Sequence, residues 1–419
     1  MSQLQRPDWV SHFNHLGTAA GSPEALLPLD GKALIDQACQ LTGLDDFGDF
    51  PWREAYDKLL WGLNNEAKLN TLGRLLVRTE LLRTLQLRLR LTDFWKQNPQ
   101  VLETPIIAPI VIAGAARTGT SILQETLSQD AQFHLPYTWK CLDPLPLQSA
   151  DDKAARIDKA KCEAELWVDI QPEIRSMHDF GAELPTECLI FMSTDYHADY
   201  WGMVADMPTW NSWRMEQGYF LNAYRWHKRI LQTMQVGEPD NRTWLLKSPA
   251  HLAFLDVVKE VYPDVRIIHT HRDPVKCIPS TASITSTVRW ERSDTVNSLA
   301  VGQEIAFGFQ FAMENVIDQR IDGRLPESQI TDIQLRELID DPVAAIKRVY
   351  DHFGLPFADD MPAKITGYLN NKPQGKFGKH SYSMESFGLS EGGLRDSFKR
   401  YSDYYGIAPE NSTGITAPS

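Results

Sequence analysis

Up to about residue 100 the apolar positions recur at helical spacing. Lys32 to Leu41 carries Leu34, Ile35 and Ala38 on one face, and Pro51 to Leu69 carries Trp52, Tyr56, Leu59, Leu60 and Leu63 in one stripe. Leu72 to Trp95 is longer and dense in leucine and arginine. These periods predict amphipathic helices. Residues 1–100 therefore read as a helical extension, a cap or an oligomer contact, which leaves a homo-oligomer open. Arg74, Arg78, Arg83, Arg88 and Arg90 read as a solvated helix face, their stems lying over apolar neighbours.

Beyond residue 100 the pattern changes to short apolar runs between amphipathic stretches. Ile106 to Ala113, rich in β-branched residues and bounded by Pro105 and Gly114, predicts a strand buried on both faces. Arg242 to Lys247, Val265 to His269 and Gln329 to Ile333 predict three more. Helices are expected from Thr120, over 151–168, 186–195 and 250–261, from Val275, and over 294–321, 342–353 and 390–405. Such alternation implies an α/β fold with a central parallel sheet flanked by helices. That domain is expected over 101–408, with a flexible small-residue tail at 409–419.

The loop after the first strand is Gly114-Ala115-Ala116-Arg117-Thr118-Gly119-Thr120-Ser121. Strand, glycine-bearing loop and helix N-terminus together make an anion site, through backbone N–H groups and the helix dipole. The architecture is P-loop-like, in three layers. The spacing nearly fits G-x4-G-K-[ST]: Gly114, Gly119 and Ser121 match, but Thr120 stands at the lysine position and the basic residue is Arg117. A loop gripping two terminal phosphates and magnesium wants that lysine. A loop gripping one phosphate can use hydroxyls, N–H groups and an arginine. By itself the motif leaves kinase, NTPase and sulfotransferase open.

In parallel sheets ligands bind outside the carboxyl ends of the strands. Arg117, Lys247 and Arg272 all lie there, so three cations converge on one crevice. This is pointed because the 419-residue chain carries a net charge of −13, which argues against a nucleic-acid binder. Two further segments bear on ligands. Residues 371–381 form a loop rich in glycine and lysine, suited to closing over phosphate or simply to solvation. Aromatic residues crowd 196–226, suited to an apolar or aromatic small-molecule acceptor or to the core. The five cysteines form no C-x-x-C pair, so reduced thiols and a cytoplasmic protein are expected. No signal peptide or membrane-spanning run is apparent.

Three segments together resemble the PAPS-dependent sulfotransferases, PAPS being 3′-phosphoadenosine 5′-phosphosulfate. The resemblance is to the bacterial-type branch with P-R-S-G-T-T, K-S-P-x-H and H-R-D-P segments. Here they stand as Ala116 to Ser121, Lys247-Ser248-Pro249-Ala250-His251 and His271-Arg272-Asp273-Pro274. The resemblance implies that Arg117, Thr118, Gly119, Thr120 and Ser121 hold the 5′-phosphosulfate. It implies that Arg272 and Ser280 hold the 3′-phosphate, and that Gly375, Lys376, Gly378 and Lys379 close on the nucleotide. Lys247 would reach the bridging oxygen, adenosine 3′,5′-bisphosphate would be the product, and no metal would be needed.

The segment departs from the branch where a T-W-E glutamate is replaced by Lys140. The base is then expected at His251 first and Glu187 second, with Glu183 and His178 also within the region. Two rivals remain. A P-loop kinase or NTPase would need a magnesium-binding acid such as Asp273, and a catalytically silent nucleotide-binding scaffold would bind without turnover.

Overall fold

In the computed structural model, residues 6–218, 220–239, 241–372 and 382–410 are described. Five strands form one parallel sheet: β1 (Ile110–Gly114), β2 (Phe133–His134), β3 (Thr243–Lys247), β4 (Arg266–His271) and β5 (Ile330–Gln334), in the order β2-β3-β1-β4-β5. The central strand, β1, is buried throughout. Its alternate residues serve two cores. Ile110 and Ile112 join Leu245, Ile268 and Ile333 on one face, packed by Ile122, Leu123, Ile346 and Val349. Val111 and Ala113 join Trp244, Leu246 and Ile267 on the other, packed by Leu87, Leu91, Trp226 and Ile317. Coverage on both faces is why the strands read as continuous apolar runs.

β1 starts four residues later than its apolar run. Ala108 adopts φ 41°, and Pro109 has no N–H to give a neighbour, so pairing begins at Ile110 and Ile107 is left 64% exposed. At its other end Gly114 lies opposite Thr270 of β4. A Cβ there would stand 2.1 Å from the Thr270 hydroxyl oxygen and 2.8 Å from its carbonyl oxygen. Only glycine allows the first strand to leave the sheet at that point.

Among the described residues five α-helices precede β1, the longest being Thr71–Gln97. Its upper part, Val77, Leu81, Leu85 and Leu89, packs with Leu34, Tyr56 and Leu59 in a third core. That core also takes Tyr196, Tyr200, Trp201, Trp210 and Trp213, while Tyr224 and Trp226 enter the sheet's core. Most of the aromatic crowding at 196–226 is therefore interior packing. Among the described aromatic residues of this stretch Phe220 is the half-buried exception, stacked on Phe254 with centroids 3.9 Å apart.

The arginine face of the long helix is not solvated. Arg74 and Arg88 are buried, and Arg78, Arg83 and Arg90 are half-buried. Arg88 donates to three carbonyls, of Phe47 (2.9 Å), Thr194 (3.1 Å) and Phe50 (3.1 Å), and its guanidinium lies 4.1 Å from the Trp226 ring centroid. Helical period cannot register this, because the carbonyls come from remote loops. A planar five-donor fork is suited to gathering them, being weakly hydrated and able to stack. Among the described residues no helix is long and apolar enough to cross a membrane, and all five cysteines are free.

Arg88→Ala strands those carbonyls. At about 1–3 kcal/mol for each buried group left unpaired, it is expected to cost more than about 3 kcal/mol in urea unfolding. Arg90→Ala, whose partner Asp143 lies 3.1 Å away at a partly exposed site, should cost less than about 1 kcal/mol. Equal, small losses would contradict the role given to Arg88.

Candidate active site

The loop leaves β1 at Gly114 and enters the helix Thr120–Leu127. Two left-handed residues shape it: Arg117 at φ 69° and Gly119 at φ 94°. The Thr118 hydroxyl donates to the Ala115 carbonyl (2.6 Å) and lies 2.6 Å from the Thr270 hydroxyl, tying the loop to β4. No side chain caps the helix's first turn. Its free N–H groups and the partial positive charge of the helix start thus face the loop.

Lys247 ends β3 and is almost wholly buried. Its Nζ donates to Glu187 Oε1 at 2.9 Å and to Ser121 Oγ at 3.2 Å. Glu187 does not sit in the helix expected over 186–195; that helix covers only Leu189–Met192, followed by a 3₁₀ turn. The reason is local. Thr186 N donates to the Pro136 carbonyl and Cys188 N to the Lys247 carbonyl, so the chain is pinned across the strand ends, with Glu187 between. His178 is half-buried, its Nδ1 2.7 Å from the Asp179 carbonyl. Burial first, then the charge of Lys247, holds His178 below the usual histidine range, while Glu187 opposes the shift.

Arg272 follows β4 directly. Its Nη1 donates to the Arg117 carbonyl (3.2 Å), and Arg117 Nε donates to Ser280 Oγ (3.2 Å). Arg117 Nη1 also donates to the Met177 carbonyl at 2.6 Å. Burial first, then repulsion from Arg272, lowers the Arg117 pKa. Arg272 also holds a carboxylate. Its Nε lies 2.9 Å from Glu410 Oε1 and its Nη2 3.0 Å from Glu410 Oε2, a two-pronged grip. Glu410 N in turn donates to Asp273 Oδ2 at 2.8 Å.

The structure thus brings Lys247, Ser121 and Glu187 together at one end of the loop, and Arg117, Arg272 and Ser280 together at the other. His251, expected as the base, and Lys140, which replaces the T-W-E glutamate, make other contacts. His251 is buried, its Nδ1 2.7 Å from the Tyr224 hydroxyl, and burial pulls it down to about 4. Lys140 is paired with Glu238. Gly375, Lys376, Gly378 and Lys379 lie outside the described residues. Asp273, the acid a magnesium site would need, has one oxygen capping the helix Pro274–Arg292 through Val275 N and the other holding Glu410 N. Glu410 was not singled out in the sequence. Its only signal there is an acid in a small-residue tail.

Comparison with known proteins bears on the family and the fold. The profile of the Sulfotransferase family matches residues 109–359, more than half of the chain and all of the sheet. The omega-hydroxy-beta-dihydromenaquinone-9 sulfotransferase Stf3 of Mycobacterium bovis is 23% identical over 312 residues, 72% of this chain and 77% of that one. The crystal structure of the sulfotransferase STF1 from Mycobacterium tuberculosis superposes with a TM-score of 0.75 at 25% identity, covering 88% of this chain and 98% of that one. The sulfotransferase STF9 from Mycobacterium avium shares the fold, with a TM-score of 0.80 at 23% identity, covering 91% and 98%. With its glycine loop and its cations at the carboxyl edge of a five-stranded parallel sheet, the chain belongs to the sulfotransferase family, and the reaction it serves is sulfuryl transfer.

Proposed function

We propose that the donor is PAPS and that its two anionic ends sit at the two ends of the loop. The observation that supports this is the bidentate hold of Arg272 on Glu410. A rim that already keeps a carboxylate on a buried arginine, beside Arg117 and Ser280, has the donors a 3′-phosphate needs. The uncapped helix start with Ser121 and Lys247 suits the 5′-phosphosulfate.

When bound, PAPS supplies the sulfuryl group and departs as adenosine 3′,5′-bisphosphate, its bridging oxygen keeping the electron pair of the broken S–O bond. The loop N–H groups and Arg117 hold the anion in place, which is most of the work in an in-line displacement. Lys247 meets the charge that grows on the leaving oxygen. Glu187 takes the proton from the acceptor hydroxyl or amine. We assign the base to Glu187 rather than His251, because Glu187 touches Lys247 and is partly open, whereas His251 points at Tyr224 from within the core. The acceptor is read as a small apolar or aromatic molecule, in keeping with the lipoquinone named for the mycobacterial relative. The half-buried pair Phe220 and Phe254 would be part of its wall. Residues 1–100 are read as a helical cap on this domain. A panel of candidate acceptors incubated with PAPS and scored by mass spectrometry tests the activity; sulfated product from none, with hydrolysis of ATP instead, would overturn it.

Two predictions follow from the division of roles along the loop. In calorimetry, adenosine 3′,5′-bisphosphate is expected to bind without added magnesium. Arg272→Ala should weaken that binding by about 2–4 kcal/mol, and Glu410→Gln should tighten it, since the arginine then gives up no carboxylate. Strict dependence on magnesium, or indifference to both substitutions, would place the 3′-phosphate elsewhere.

Lys247→Ala should bind adenosine 3′,5′-bisphosphate nearly normally yet lower kcat by about 10²–10³, as expected for a donor that acts only as charge develops. Lys247→Arg should rescue it in part only. Full turnover by Lys247→Ala would remove Lys247 from the mechanism.

A further inference from the structure

Behind Lys247 lies a buried cluster that sulfuryl transfer does not use. Cys188, His227 and His251 are each 1% exposed or less. They come from three segments: the N-terminal cap of the short helix Leu189–Met192, the helix Phe220–Met234 and the 3₁₀ turn Pro249–Phe254. One ring nitrogen of each histidine and the Cys188 sulfur all lie within 4.8 Å of one another. Each imidazole is oriented by a tyrosine. His227 Nδ1 is 2.6 Å from the Tyr262 hydroxyl, and His251 Nδ1 is 2.7 Å from the Tyr224 hydroxyl. Both Nε2 atoms are buried without a hydrogen-bond partner.

Leaving two imidazole nitrogens unpaired in the interior is costly. The Cys188 thiol has one proton and can satisfy one of them at most. A cation satisfies both nitrogens and the sulfur together. We propose that Cys188, His227 and His251 form a binding site for a single borderline-soft divalent ion, Zn2+ first, with a water completing four-fold coordination. The donor set matches this chemistry: thiolate and neutral imidazole, with three protein ligands. The tyrosine hydroxyls stand where outer-shell partners of metal-bound histidines stand, setting the tautomer and leaving Nε2 for the ion. Bond lengths of about 2.0–2.3 Å to zinc call for ligand separations of about 3.4–3.6 Å, so the triad must close on the ion. Binding displaces the thiol proton to solvent, so one proton is released for each ion bound.

A second cluster among the described residues, buried His269 and His271 with half-buried Asp332, differs in kind. Arg320 grips both oxygens of Asp332, and both nitrogens of His271 have partners, in Tyr401 and Asp332. In the Cys188 triad, by contrast, both histidine Nε2 atoms lack a hydrogen-bond partner among the described residues, and its place in the fold gives the ion a role. Cys188 follows Glu187, its N–H is bonded to the Lys247 carbonyl, and His251 lies four residues past Lys247. An ion here braces the two segments that carry the pair Lys247 and Glu187 against the helix Phe220–Met234. The site itself does not depend on which donor the enzyme uses.

The test uses the full-length chain, purified without metal-affinity resin, stripped with a chelator and titrated with Zn2+ and with Co2+. One Zn2+ is expected per chain, and the Co2+ form should show a thiolate-to-cobalt charge-transfer band with tetrahedral visible bands. Cys188→Ser, a near-isosteric change, should abolish the charge-transfer band. Tyr224→Phe, which keeps every ligand, should weaken affinity about 10–100-fold. Cys162→Ser, at an exposed thiol, should change nothing. Substoichiometric zinc with no thiolate band, or a band that survives Cys188→Ser, would overturn the proposal.

Discussion

Cations gathered on one rim must each be answered by an anion or a dipole, and that requirement organises the active site. Arg117 and Arg272 are close enough to repel, and burial compounds the cost for Arg117. The chain meets it with its own acids: Glu187 on Lys247 and Glu410 on Arg272. A buried charge without a partner costs several kcal/mol, whereas a paired one costs much less. These cations are therefore neutralised from within the chain. An incoming dianion would have to displace the Glu410 carboxylate from Arg272, which is the cost of keeping the cations paired beforehand. The same logic reconciles a net charge of −13 with the polyanionic donor proposed: the positive field is local and internally balanced.

The sheet makes the gathering possible. With β1 between β3 and β4, Ile112 is in register with Lys247 and Gly114 with Thr270. Lys247, the loop and Arg272 therefore reach the same edge, although they are far apart in sequence. Gly114 sets the tightest limit. Its hydrogen is what lets the loop turn away against Thr270, whose hydroxyl then braces Thr118. The unpaired helix start follows from that turn. Sequence, turn and anion site are one chain of cause here: two glycines, one strand edge, one helix dipole.

What could be read from the residues was what local pattern controls. The apolar runs of β1, β3, β4 and β5 and the loop Gly114 to Ser121 were legible, and with them the parallel sheet and the convergence of Arg117, Lys247 and Arg272. What could not be read depends on distant partners. β2 is two residues long at the edge of the sheet, too short for any period. Arg88 is buried by carbonyls from residues 47, 50 and 194, and helical spacing says nothing of them. The aromatic residues at 196–226 carry no mark of whether they face a ligand or the helices before β1. His251 looked well placed for the acceptor because it lies four residues from Lys247, but the 3₁₀ turn carries it inward to Tyr224. Glu410 and the triad of Cys188, His227 and His251 exist only as long-range contacts.

The central claim is that the loop and its flanking cations bind the two ends of one nucleotide. A crystal structure with adenosine 3′,5′-bisphosphate tests it most directly. The account predicts the 5′-phosphate on the N–H groups of residues 117–121 near Lys247, the 3′-phosphate on Arg272 and Ser280, and Glu410 displaced from Arg272. It would be contradicted by a nucleotide bound with Glu410 still in place, for example in the separate polar cavity of about 490 Å³ beside His271, Arg320 and Tyr405.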